Sequence, residues 1–427
     1  MIINSFYQNI KIVTLSSFFS NFFFFLTFLV NSKSLGFYQF GILSILTTTI
    51  VLFTRFFSFD MWQQLFNLGT KYLVNKDYFK FRDIYFFCLK TEITFSIISF
   101  IISNIIIYLI SLLFRFDEQY FLYAHILTIS LIFRFYDTPS GLFRILDKFN
   151  YLIFIEILGS LILFIPCLFL FFYNYEFKFY IYVYLFYFSI VSIVANIFAF
   201  YLWKKMNFPS LFESKFLSLK IQKKFISISY TSWTSSTLSI LQQFDIYLIG
   251  YLIGAEASGM FRFASRIASV FSLFSDLLSK VITPNITLLK AQSKISELRK
   301  IVVKFFKYSL IVATIILTIS LFVIDYYFYI FRDSEYVYLK DPLKILIFAH
   351  CIKSNSFYYR SVMTEIVGHK YYLKTILYSF LSLIVTFIPL TYYYQLIGSS
   401  LSILISSTIF YVLSNYIIIN NLKLIKK

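Results

Sequence analysis

Runs of about 18–25 apolar residues recur from one end of the chain to the other, separated by short polar stretches rich in Lys and Arg. Each run is long enough to cross the ~30 Å hydrocarbon core of a bilayer as a helix. Backbone groups in lipid must bond within their own segment, so such runs are helices or closed barrel strands. Barrel strands alternate over about 10 residues, whereas these runs are uniformly apolar. The pattern predicts an all-α integral membrane protein of about twelve transmembrane helices. They are expected at 10–30, 38–60, 84–113, 120–143, 150–173, 179–202, 225–252, 258–286, 305–324, 342–363, 371–394 and 397–421. No small-residue cleavage site follows 12–30, so the first run reads as an uncleaved helix rather than a signal peptide.

The polar stretches set the orientation. Alternate connections hold 24 Lys and Arg, including Lys71, Lys76, Lys80, Arg82, Arg144 and Lys148, while the opposite set holds five: Lys33, Arg115, Lys178, Arg332 and Lys340. Basic loops stay on the cytoplasmic side, which places both termini in the cytoplasm. The longest connection is a basic cytoplasmic linker at 204–224, between a six-helix bundle at 1–203 and another at 225–427.

Composition agrees with this reading. The chain is 59% hydrophobic and 14% charged, against about 45–50% and 25% in soluble domains. The basic loops account for the net charge of +18, so nucleic-acid binding is not needed to explain it. Cys88, Cys167 and Cys351 are isolated, as are His125, His350 and His369; neither set has a metal or disulfide spacing. No cofactor, metal or catalytic site is expected, and the 58 Phe and 36 Tyr read as composition rather than a stacking platform.

Two stretches resemble each other. Leu35–Phe53 and Ser258–Asp276 each open the second helix of a half, with Gly36-Phe-Tyr-Gln-Phe-Gly41 set against Gly259-Met-Phe-Arg-Phe-Ala264. An even number of helices separates the copies, which predicts a parallel repeat about an axis along the membrane normal, a transporter arrangement.

Nine Lys and Arg fall inside the expected helices: Arg55, Lys90, Arg134, Arg262, Arg266, Lys280, Lys344, Lys353 and Arg360. A charge at a helix centre costs on the order of 2.5–3.5 kcal/mol on insertion scales, and such residues face a cavity or a partner. Helical spacing draws four polar stripes: Arg262, Arg266, Ser269, Leu273, Asp276 and Lys280; Ser130, Arg134, Asp137, Gly141 and Arg144; Lys353, Ser356, Arg360 and Thr364; and Thr231, Ser235, Ser239, Gln242 and Asp245. Arginine offers forked donors to phosphate oxygens, so Arg262, Arg266, Lys353, Arg360, Arg134 and Arg55 are the candidate diphosphate ligands. The local alternatives are ion pairs, Lys280 with Asp276, Arg134 with Asp137 and Arg55 with Asp60, or snorkelling at helix ends for Lys90 and Lys344. Asp245, Glu156 and Asp60, with Glu92, are candidate sites for a coupling proton or sodium ion. Pro139, Pro166, Pro284 and Pro389 are expected to kink their helices.

The segments Leu35-Gly36-Phe37-Tyr38-Gln39-Phe40-Gly41, Asp245 to Gly250, Gly254, Ser258-Gly259-Met260-Phe261, Ala264-Ser265-Arg266-Ile267 and Pro284 resemble the O-antigen flippases of the multidrug/oligosaccharidyl-lipid/polysaccharide exporter (MOP) superfamily. The resemblance implies a V-shaped transporter of two six-helix bundles around a central cavity. It implies movement of an undecaprenyl-diphosphate-linked oligosaccharide, an O-antigen or capsule repeat unit, to the periplasmic leaflet of a bacterial inner membrane, alongside other polysaccharide assembly proteins. The competing readings are a drug exporter of the same superfamily, which would want an acidic or apolar cavity, and an O-antigen polymerase or other membrane glycosyltransferase. The latter needs a large periplasmic loop or paired carboxylates, and the expected loop at 325–341 is short. A transporter rather than an enzyme is expected.

Overall fold

The computed structural model describes residues 2–114, 117–211, 244–270, 337–355, 359–363 and 367–424, with scattered positions in 222–237, at 272 and in 307–326; for 2–15, 110–114, 360, 361, 369 and 421–424 this is the backbone. No strand occurs among the described residues. The chain divides into two compact units, Met1–Leu241 and Gln242–Lys427, a boundary later than the expected 224/225. Phe225 packs into the core of unit 1, and the Trp233 indole N–H donates to the Phe56 carbonyl at 2.6 Å, so this stretch goes with the first unit. Most of the 204–224 linker lies outside the described residues.

Unit 1 contains α1 (Ile2–Ser58), α2 (Met61–Val74), α3 (Tyr78–Phe114), α4 (Glu118–Ile132), α5 (Asp137–Ile145), α6 (Phe149–Phe172) and α7 (Phe177–Lys205). A straight helix the length of α1 would greatly exceed the bilayer. It is interrupted at Gly36, with φ 65 and ψ 169, a backbone that only glycine adopts without strain. The Phe28 and Phe40 rings then meet at 5.0 Å across the break. The two expected helices at 10–30 and 38–60 are therefore the two arms of α1. α1 packs most extensively on α6, α4 on α3 and α7, and α5 on α2.

Two expectations are corrected. The connection between the second and third helices, read as a basic loop, contains α2, which buries Met61, Gln64, Leu65, Leu68 and Gly69. Its apolar positions recur at helical spacing and seal one end of the bundle, while Lys71 and Lys76 stay exposed. The fourth helix, read as continuous over 120–143, is interrupted: α4 ends at Ile132, residues 133–136 are not helical, and α5 restarts at Asp137. Asp137-Thr138-Pro139 is a helix-start signal, an acid in the first turn with a proline that needs no N–H there.

α2, α3, α5, α6 and α7 share one core. It includes Leu65, Phe81, Tyr85, Leu142, Phe143, Ile155 and Trp203. Gly141 lets α5 approach α2 closely: a Cβ there would lie 3.1 Å from Trp62 Cα and 3.2 Å from the Trp62 carbonyl. Gly141→Val is therefore expected to force the two helices apart at a cost of about 1–3 kcal/mol. A thermal melt of the purified variant that matched wild type would refute this contact.

In unit 2, α8 (Asp245–Leu252) ends at Ile253 and Gly254, the latter with φ 131, and residues 255–270 are helical. Ser258 Oγ donates to the Ile246 carbonyl at 3.0 Å and ties the two helices together. Gly36 and Gly254 both have positive φ, and each is followed five residues later by a second glycine, Gly41 and Gly259. α9 (Lys340–Ser354) precedes α10 (Tyr359–Val362).

α11 (His369–Leu424) doubles back at Gln395, with φ 49 and ψ −128. Ser379 and Ser406 bond across the two arms at 2.9 Å, and Thr391 and Ser399 at 3.0 Å. These small residues allow the close helix approach that packing in lipid relies on. A Cβ on Gly398 would run into the Leu390 carbonyl, so the hairpin needs glycine there. The arms match the expected helices at 371–394 and 397–421. Of the expected helices at 225–252, 258–286 and 305–324, only parts are described.

Five stretches among the described residues are long and apolar enough to cross a membrane: Ser16–Val74, Tyr78–Leu109, Phe149–Phe172, Phe177–Lys205 and Lys370–Asn420. The first and last each contain a reversal.

Candidate functional site

The break between α4 and α5 gathers most of the charge inside unit 1. Its open backbone is held by α7, where Asn196 Nδ2 donates to the Phe135 carbonyl at 2.7 Å. Arg134 lies in the break, with its guanidinium 5.3 Å from the Phe188 ring. Asp137 opens α5, and Arg144, from its last turn, sits 4.1 Å over the Trp62 indole. Sequence reasoning counted Arg144 in a cytoplasmic connection; it is half-buried against α2 instead.

The start of α5 is capped from α3. Asp137 N–H donates to Glu92 Oε1 at 2.7 Å and Thr138 N–H to Oε2 at 2.9 Å. Glu92 is 3% exposed, so its charge is met by two helix-start amides that would otherwise be unsatisfied. Arg55, Asp60, Arg134 and Arg144 all interact electrostatically with Asp137. Glu156, exposed on α6, accepts from Ser17 Oγ at 3.4 Å and interacts electrostatically with Tyr136, Tyr187 and Arg144. A narrow recess reaches this cluster, lined by Thr54, Phe57, Ser58, Glu92, Ser96, Ser99, Leu131 and Arg134. Among the described residues, Arg134 Nε, Asp137 Oδ2, Thr138 Oγ1 and Arg144 Nη1 are buried without a hydrogen-bond partner.

Unit 2 has a second charged cluster. Asp245, at the start of α8, interacts electrostatically with Arg262 and Lys353. Its Oδ1 accepts the Ile246 N–H at 2.8 Å. Lys353 is exposed near the end of α9, and Arg262 and Arg266 are half-buried. Of Arg360 the backbone alone is described, in α10. The stripe positions Leu273, Asp276, Lys280, Pro284, Ser356 and Thr364, and Thr231, Ser235, Ser239 and Gln242, lie outside the described residues. Lys344 joins Asp325 at 2.7 Å rather than facing a cavity.

The candidates thus fall into two groups. Arg55, Arg134 and Asp60 gather around Asp137 in unit 1, with Glu156 beside Arg144 and Tyr136; Arg262 and Lys353 lie around Asp245 in unit 2. Both groups mix cations with carboxylates, so the basic side chains are partly balanced rather than forming a purely cationic lining. Glu92 as a helix cap was not read from the sequence, whereas Asp137 and Arg144 were read in one stripe with Arg134. The Asp-Thr-Pro start signal inside an apolar run was the available clue to that cap. Among the described residues no group of His, Cys, Asp and Glu is arranged to hold a metal ion.

The fold is similar to that of solved MOP-superfamily transporters. A multidrug resistance MATE family transporter of that superfamily, in an inward-facing conformation, matches with a TM-score of 0.76 at 14% identity, over 94% of this chain and 96% of that one. A MOP-superfamily transporter from Pyrococcus furiosus, described by the reverse polarity of its binding pocket, matches with a TM-score of 0.68 at 14% identity, over 99% and 96%. An outward-facing MATE family transporter gives 0.66 at 15% identity, over 97% and 96%. No curated protein matches. The family of polysaccharide biosynthesis proteins matches residues 6–290, and the chain belongs to that family. It is a multi-pass membrane protein.

Proposed function

We propose that this chain is a flippase. It carries an undecaprenyl-diphosphate-linked oligosaccharide, an O-antigen or capsule repeat unit, from the cytoplasmic to the periplasmic leaflet of a bacterial inner membrane by alternating access. Membership of a polysaccharide biosynthesis family supports a substrate of that kind. The observation that supports the reading is the gathering of basic side chains in both units, Arg55, Arg134 and Arg144 around Asp137 in one and Arg262 with Lys353 near Asp245 in the other. Guanidinium groups in an apolar setting are costly unless they meet an anion, and their fork matches phosphate oxygens. Arg266 and Arg360 extend the second group. Asp245, Glu156 and Asp60 serve as sites for a coupling proton or sodium ion, and both termini face the cytoplasm.

In cells lacking the chain, complete lipid-linked units are expected to build up on the cytoplasmic leaflet. Wild type clears them; Arg134→Ala and Arg262→Ala clear them at a rate lower by about tenfold or more, the loss of one charge-assisted contact of ~1.5–3 kcal/mol. Accumulation of single units in the periplasmic leaflet would overturn the assignment in favour of a polymerase.

A second reading is drug export. The carboxylates beside the arginines, Asp137 and Asp245 above all, would suit a cationic drug. It predicts that expression lowers the accumulation of cationic dyes and that Asp245→Asn abolishes this effect, with no change in lipid-linked sugar.

A further inference from the structure

α5 begins inside unit 1 on a single carboxylate, with Asp137 N–H at 2.7 Å and Thr138 N–H at 2.9 Å from the two oxygens of Glu92. The carboxyl of Asp137 is a close neighbour, because its own backbone amide is one of those donors. Its Oδ2 is buried and has no hydrogen-bond partner among the described residues. Hydroxyl groups of Ser58, Ser96 and Ser99 line the recess that reaches Glu92. A carboxylate uses both oxygens as acceptors, whereas a protonated carboxyl has one O–H donor. Neighbouring buried carboxyls favour holding a proton between them over both being ionised.

We propose that Glu92 and Asp137 form a proton-binding site that controls the hold of α3 on α5. A hydronium ion gives its proton to one oxygen of Glu92 and leaves as water, its O–H bond broken as the new one forms. The new O–H donates to Asp137 Oδ2, and the backbone N–H which that oxygen had accepted is released. One O–H bond forms, one N–H···O hydrogen bond is exchanged for an O–H···O bond, and nothing else is transferred. Asp137 is faced by Arg55, Arg134 and Arg144, with Asp60 and Tyr136 beyond them. Glu92 is faced by Tyr85 and Cys88 of its own helix, by Asp137 at the start of α5, and by Arg134, which lines the same recess. Because Gly141 and Arg144 hold α5 to Trp62, release at its start loosens the contact with α2. The use of this proton in transport rests on the exporter reading; its binding does not.

The test uses the purified full chain in lipid, without substrate. A step from alkaline to mildly acidic buffer is followed by infrared difference spectroscopy and by amide hydrogen exchange. A protonated-carboxyl band is expected in wild type, absent in Glu92→Gln and shifted in Asp137→Asn, which keeps the amide that Glu92 caps. Exchange at the amide so released, that of Asp137 or of Thr138, is expected to quicken by about tenfold on acidification, the loss of about one net hydrogen bond. A band unchanged in Glu92→Gln overturns the proposal, as does amide exchange corrected for its intrinsic pH dependence that does not respond to the step. Should Glu92→Gln not fold, the Asp137→Asn band and the wild-type exchange still decide. Normal proton uptake with no effect on lipid-linked sugar would fault the flippase reading and leave the site standing.

Discussion

Glu92→Ala is expected to lower the stability of unit 1 by about 2–6 kcal/mol, because it strands two buried backbone N–H groups at about 1–3 kcal/mol each. Those groups belong to Asp137 and Thr138, and Thr138 is fully buried. A loss of that size is a large share of the 5–15 kcal/mol that holds a typical domain folded. Glu92→Gln keeps the shape and one acceptor oxygen, so about half of the loss is expected. Thermal unfolding of the detergent-purified variants, followed by size-exclusion chromatography, gives the order wild type, Gln, Ala. An alanine variant as stable as wild type would show that Glu92 is not what holds the start of α5.

Trp203→Ala should cost about 3–5 kcal/mol, the range for emptying a packed aromatic site. Trp203 is 3% exposed. Its ring lies 4.7 Å from Tyr85, 4.8 Å from Phe208 and 5.8 Å from Phe81, and its indole N–H donates to the Pro209 carbonyl at 2.9 Å. One side chain thus joins the end of α7 to the beginning of α3 and to the chain that leaves the bundle. Trp203→Phe keeps the stacking and loses the hydrogen bond, so about 1 kcal/mol is expected. The same melting experiment separates the two, and equal effects would mean that the ring packing contributes little.

What the sequence made legible follows the physics of the bilayer. Length and apolarity alone placed the arms of α1, α6, α7 and both arms of α11 within a few residues, because lipid permits few alternatives to a helix of that length. The reversals were marked too, by Gly36 and by the polar Gln395 between two apolar runs. What stayed hidden was set by contacts distant in sequence. α5 looked like the end of a continuous helix because the residue that stabilises its separate start, Glu92, is 45 positions away. Its tail looked like loop because Arg144 finds its ring in α2. α2 itself was masked by its lysines, which are the exposed face of an amphipathic helix whose other face is core.

The candidate charges were visible one by one, through the cost of a cation in an apolar run. Their grouping was visible in part: one stripe joined Arg134, Asp137 and Arg144, but a stripe on one helix could not bring in Arg55 from α1. The mixture of cations and carboxylates in each unit changes what a single substitution is expected to do. Removing Arg134 takes away a phosphate donor and also leaves Asp137 with one fewer cation.

The most direct measurement of the account is the sidedness of undecaprenyl-diphosphate oligosaccharide in cells that lack this chain and are complemented with wild type, Arg134→Ala or Arg262→Ala. The account predicts complete units held on the cytoplasmic leaflet without the chain, cleared by wild type and retained with either variant. Complete units reaching the periplasmic leaflet at the normal rate in cells without the chain would contradict it.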